Sequence, residues 1–180
     1  LWDFSRPHTI IGSTISILVL YLLANQLYPF TAHLSLFLLT WFSALGCNVF
    51  ITGFNQIYDI EIDKINKPFL PLADGRLRLS QAWKIVLIAL AICLGISLYL
   101  NIYLFYIMSA ISLIGAFYSM PFTRLKRHHF FAGLCIVVVR GLLVNLAIGY
   151  WFEYMIFGAI QQNSLVILPS PKASIALSNG

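Results

Sequence analysis

Charge is what this sequence has least of. Only 9% of its residues are Asp, Glu, Lys or Arg and only six are acidic, whereas 60% are apolar and the mean hydropathy is +0.87. That balance excludes a water-soluble domain of ordinary composition and indicates a membrane protein. Cysteine is scarce too: Cys47, Cys93 and Cys135 each sit inside an apolar run without paired spacing, which excludes a disulfide framework or a zinc cluster and leaves buried, inert thiols. His8, His33, His128 and His129 lack ligand spacing across helices and read as headgroup-region residues. No secretory signal is visible, since the first apolar run has neither the short core nor the cleavage site of one. A second acidic cluster is also missing, because Glu153 is the only acid after Asp74.

Long apolar runs are what remains. A spanning helix takes about 20 mostly apolar residues, and five runs approach this: Thr9 to Leu27, Leu34 to Phe54, Trp83 to Leu100, Ile102 to Tyr118 and Phe130 to Ile148. They predict an all-α, multi-pass transmembrane bundle. The short "YPFTAH" and the single Asn101 between runs predict two tight antiparallel hairpins. The two longer connections are polar and, with Arg6, put Lys64, Lys67, Arg76, Arg78, Lys84, Arg124, Lys126 and Arg127 on one side. Basic loops stay on the side from which a chain inserts, so this face is expected to be cytoplasmic or stromal. Topology and anionic headgroups of the lipid bilayer account for the positive balance, and no nucleic acid partner is expected. Residues 1–149 read as one membrane domain. Residues 150–180 mix Ser, Pro and Asn with brief apolar patches and read as an atypical tail without a further well-formed helix.

Half of the six acids, Asp59, Glu61 and Asp63, crowd into five positions of the stretch "FNQIYDIEIDKINKPFLPLADG", residues 54 to 75. If the second helix runs past Phe54, Asn55, Asp59 and Asp63 are spaced by four and form one stripe, while Glu61 points to another face. Pro68 disfavours helical geometry at Lys67, which puts the stripe at the helix end and the membrane boundary. Carboxylates at a helix C-terminus meet the unfavourable end of the dipole. A bound Mg²⁺ removes that conflict, because it takes one or two carboxylates together with waters and substrate phosphate oxygens. A solvated helix end with an Asp63–Lys67 pair is the plainer alternative. An EF-hand is excluded, since its sixth position would be Lys64 and its twelfth Leu70.

Basic residues of both polar connections share the face of these acids, a pairing suited to a diphosphate bridged by Mg²⁺. Arg140 lies near the middle of the fifth run, where an arginine is costly and should face the bundle interior, as a structural partner or beside a substrate pocket.

The string "NQIYDIEIDKINKPFLPLADG", with "FSRPHTIIG" near the start and "YSMPFTRLKR" after the fourth run, resembles the first aspartate-rich motif and flanks of UbiA-type intramembrane aromatic prenyltransferases. The homogentisate phytyltransferases of plastids and cyanobacteria are the most similar branch. The resemblance implies a prenyl (phytyl) diphosphate donor, homogentisate as acceptor with loss of CO₂, and Mg²⁺ held by Asn55, Asp59 and Asp63. It also implies that Lys67, Arg124 and Lys126 neutralise the diphosphate and that Tyr118 lines the cavity. Members of that family have about nine helices and a second aspartate-rich motif. The chain therefore reads as the N-terminal part of such a bundle, incomplete as a metal site. A different prenyl donor or acceptor, and a small transporter lined by Arg140 and the acidic helix end, are the competing readings.

Overall fold

The computed structural model describes residues 3–27, 34–120, 130, 133–134 and 137–156, with the backbone alone at 140 and 141. All regular structure among these residues is helical. The elements are α1 (Pro7–Leu27), α2 (Leu34–Tyr58), α3 (Ile60–Asn66), α4 (Leu79–Leu100), α5 (Ile102–Ser119) and a π-helix (Val137–Ala147). Four of them, α1, α2, α4 and α5, are long and apolar enough to cross a membrane. The expected bundle is therefore present, with α4 beginning at Leu79, ahead of the apolar run that starts at Trp83. Asn101 alone separates α4 from α5, and its side chain accepts the Tyr103 N–H at 2.8 Å to cap the new helix.

Two differences from the sequence reading follow from tertiary packing. The second helix does not run unbroken through the acidic stretch. Asp59 interrupts it with φ −111° and ψ 12°, its N–H reaching back only to Gln56 at 3.3 Å, before α3 resumes with Asp63 N–H bonded to the Asp59 carbonyl at 2.7 Å. Secondly, helix does not stop at Ile148: residues 148–156 are α-helical and continue the π-helix. Trp151, Phe152 and Ile156 are fully buried in the main apolar cluster, beside Ile17, Tyr21, Leu104 and Met108. The indole N–H of Trp151 bonds to Thr40 Oγ1 at 3.2 Å. A patch too mixed to read as a span by hydropathy is thus helical because its aromatics find a core.

Helix association in lipid depends on close packing more than on hydrophobic burial, so small residues mark the tightest contact. That contact is α2 against α4. A Cβ at Gly46 would stand 2.7 Å from the Ala89 carbonyl oxygen, and one at Gly53 would stand 2.6 Å from Val86 and 2.7 Å from the Phe4 ring. Ser43 bonds across to the Cys93 carbonyl at 2.9 Å. Cys47 and Cys93 are buried free thiols, as expected. Exposed Ile11, Ile15, Leu22 and Leu23 of α1 and Leu87, Ile88 and Leu98 of α4 give the bundle an apolar surface suited to lipid.

Candidate functional site

The end of α2, the whole of α3 and the start of α4 come together with residues 3–6 ahead of α1. Phe4 is 1% exposed and packs over Gly53, while its carbonyl accepts Gln56 Nε2–H at 2.6 Å. Arg6 adopts φ 51°, a left-handed conformation that turns the chain into α1, and its carbonyl accepts both the Thr9 N–H at 2.9 Å and the Thr9 hydroxyl at 2.8 Å. The preamble to the first helix is therefore built into the motif end of the second. The 67–78 connection is held to it as well, because Arg76 pairs with Asp74 and with Asp3 at 3.5 Å and donates to the Phe69 carbonyl at 2.7 Å. The Arg76 N–H and guanidinium hold the Asp74 carboxyl below its ordinary value, and Asp74 in turn raises Arg76.

Asp63 is the buried acid, at 3% exposure. Its Oδ1 accepts from Lys67 Nζ at 3.3 Å, the pair anticipated from the i,i+4 spacing. Its Oδ2 faces Arg6 Nη2 at 3.9 Å and has no hydrogen-bond partner among the described residues. Arg6 was missed as a site residue, because its partner lies far away in sequence. Glu61 is exposed and pairs with Lys64 at 2.8 Å, away from buried Asp63. Asn55 and Asp59 are half-buried at the same end.

Further down α2 is a cavity of about 440 Å³ between α1, α2, α5 and the π-helix, whose polar lining includes Thr9, Ser13, Asn48, Thr52 and Asn145. Asn48 ties α1 to α2, donating to the Thr9 carbonyl at 3.0 Å and to Ser13 Oγ at 2.9 Å, while its Oδ1 accepts the Thr9 hydroxyl at 3.1 Å. Positions 48, 52, 55 and 59 recur at helical spacing, so one polar stripe descends about 16 Å from Asp59 to Asn48 at 1.5 Å per residue. The i+4 and i+7 spacing of Thr52 and Asn55 from Asn48 was visible in the sequence but hidden inside an apolar run.

Of the other expected site residues, Tyr118 is half-buried in the last turn of α5, which the antiparallel hairpin returns to the motif end. Arg140 belongs to the π-helix by its backbone. Arg124 and Lys126 lie outside the described residues. Among the described residues, no three His, Cys, Asp or Glu side chains converge to enclose a metal by themselves.

Residues 13–170 match the family model described as the UbiA prenyltransferase family. The chain belongs to the UbiA prenyltransferase family. The match runs past residue 149 into the segment that reads as an atypical tail. Over 161 residues the chain is 44% identical to a homogentisate phytyltransferase of Synechocystis sp., covering 84% of this chain and 51% of that protein. It is 40% identical to a homogentisate geranylgeranyltransferase of Triticum aestivum, covering 81% of this chain and 37% of that one. A solved structure described as "Structural and mechanistic insights into the biosynthesis of Digeranylgeranylglyceryl phosphate synthase in membranes" superimposes with a TM-score of 0.71 at 28% identity, over 81% of this chain and 50% of the other. This UbiA-family chain thus spans about half or less of the length of these relatives.

Proposed function

We propose that this chain forms the donor-binding part of a Mg²⁺-dependent prenyltransferase that moves a prenyl group, phytyl foremost, from its diphosphate to homogentisate. The observation that carries the reading is a buried carboxylate, Asp63, with an unpartnered oxygen near the end of a polar stripe that leads down into a cavity. A dry acid with a spare lone pair suits a hard cation, and two carboxylates with an amide leave room for the waters and phosphate oxygens that Mg²⁺ prefers. Asn55, Asp59 and Asp63 would hold the ion, which supplies positive charge for the diphosphate oxygens. Lys67, Arg124 and Lys126 would share that load, and Tyr118 and Arg140 would contribute to substrate binding.

The allylic C–O bond breaks with its electron pair leaving on diphosphate. An electron-rich ring carbon of homogentisate then forms the new C–C bond and gives up its own proton, while the side-chain carboxylate departs as CO₂ and the methylene carbon it leaves takes up a proton. The motif residues stabilise the charge that develops on the leaving group. The apolar core keeps water from the prenyl cation, and the cavity volume lies in the usual range for ligand sites. The relatives named for phytyl and geranylgeranyl transfer support the class of donor. The chloroplastic and cyanobacterial sources among the relatives support a plastid or cyanobacterial membrane, and the basic connections favour a motif that faces stroma or cytoplasm. Incubating the membrane-reconstituted protein with phytyl, geranylgeranyl and solanesyl diphosphates and labelled homogentisate tests the reading. Prenylated, decarboxylated product that requires Mg²⁺ is expected, and ion flux without prenyl transfer would overturn it.

A further inference from the structure

Asp63 has two cationic neighbours, and they differ in kind. Lys67 is local, one helical turn away on the same segment, and its half-exposed ammonium is hydrogen-bonded to Oδ1 at 3.3 Å. Arg6 comes from a different element and approaches Oδ2 only to 3.9 Å, near enough to balance charge but too far to hydrogen-bond. The two side chains of that pair are 19% and 4% exposed. Arg6 cannot easily drift away. The buried Phe4 ring and its carbonyl bond to Gln56 fix the chain before it, and the double acceptance from Thr9 fixes its own carbonyl. Gln56 of α2 and Asp63 of α3 both face this preamble, through the Phe4 carbonyl and Arg6, and among the described residues Gln56 Oε1 is a second buried acceptor without a hydrogen-bond partner.

Lys67 balances Oδ1 from a half-exposed position, and a buried carboxylate whose charge is poorly balanced is unfavourable, so in the metal-free protein Arg6 supplies the positive charge near Oδ2. We propose that Arg6 is a positioning residue: the resident counter-ion of Asp63, which holds the carboxylate in place and yields its second oxygen when a divalent cation arrives. The inference rests on the metal reading of Asp63 given above. Two positive charges at one oxygen repel each other, so Arg6 both prepares the carboxylate and opposes the incoming ion. A purely structural arginine would act in one direction only, since its loss would disorder Asp63 and weaken every ligand.

Mn²⁺, whose free form is counted by electron paramagnetic resonance, is titrated into the protein in lipid nanodiscs. Asp63→Asn should weaken Mn²⁺ at least about tenfold, whereas Arg6→Gln should tighten it roughly three- to tenfold through the lost repulsion. Arg6→Lys, with a shorter and more hydrated cation, should fall between wild type and Arg6→Gln. If Asp63→Asn weakens binding but Arg6→Gln leaves it equal or weaker, the role of Arg6 is overturned and the metal site stands. If wild type shows no saturable binding, or Asp63→Asn changes nothing, both are overturned. Should Arg6→Gln fail to fold, Arg6→Lys decides: binding tighter than wild type supports the role, and equal or weaker binding refutes it.

Discussion

Helix α2 presents two unlike sides to its neighbours. Toward α4 it offers Gly46 and Gly53, which bring backbones and rings so close that a single added methyl would collide. Toward α1 and the cavity it offers Asn48 and Thr52, continued at helical spacing by Asn55 and Asp59, and it leaves an open volume. The dry side fixes where the helix stands, while the wet side carries the groups that can meet a charged or hydroxylated ligand. A bundle buried in lipid can keep such a polar stripe because its opposite face supplies the packing.

Substitutions on the two sides should therefore fail in different ways. The largest effect is expected on the wet side, where Asp59→Ala should lower prenyl transfer by at least about a hundredfold, the order of loss when a preorganised charge-stabilising group is removed. Its thermal unfolding in detergent should stay near that of wild type, and a parallel loss of folding would erase the distinction drawn here. On the dry side, Gly46→Leu should cost about 1–3 kcal/mol or more by overpacking against the Ala89 carbonyl, and activity should fall only as folded protein falls. A fluorescence or calorimetric melt beside a per-molecule rate separates the two modes.

A smaller effect is expected for Asn48→Leu. It removes three hydrogen bonds between α1 and α2, of a kind worth on average about 0.6 kcal/mol each across membrane helices. It also makes the cavity wall apolar, so KM for the aromatic acceptor should rise more than KM for the donor. Equal changes in both would show that the network is structural alone.

The smallest effect lies outside the membrane. Asp74 has its carboxyl held down first by the Arg76 N–H, so its NMR titration midpoint should fall below the ordinary 3.8. With the folded value depressed, the stabilisation is present above the unfolded value and is lost as pH falls through the folded one. A midpoint at or above the ordinary value would show that the 67–78 connection is not closed by Arg76.

Four of the spans were legible because twenty apolar residues have few other uses, and the α4–α5 hairpin because Asn101 leaves no room for anything but a sharp reversal. The candidate site was legible in part. Spacing by four placed Asn55, Asp59 and Asp63 at one helix end and set Glu61 aside, yet it could not show the break at Asp59. Nor could it show that Asp63 turns toward Gln56 and the preamble, because the cause is the seating of Phe4 on Gly53, a contact between distant positions. Arg6 carried only a topological meaning until folding placed it beside Asp63. Trp151 and Phe152 looked like a mixed tail for the same reason, since hydropathy averages a segment and cannot say which side meets a core.

The central claim is that the acidic end of α2 and α3 holds a cation for a prenyl diphosphate while the opposite side of α2 only packs. The most direct measurement is single-turnover transfer from phytyl diphosphate to labelled homogentisate by the reconstituted protein, comparing wild type with Asp63→Asn at matched folded fraction across a Mg²⁺ series. The account predicts Mg²⁺-dependent product from wild type, and from Asp63→Asn a rate at least about a hundredfold lower that added Mg²⁺ restores only in part. Equal rates and equal Mg²⁺ dependence in the two proteins would contradict it.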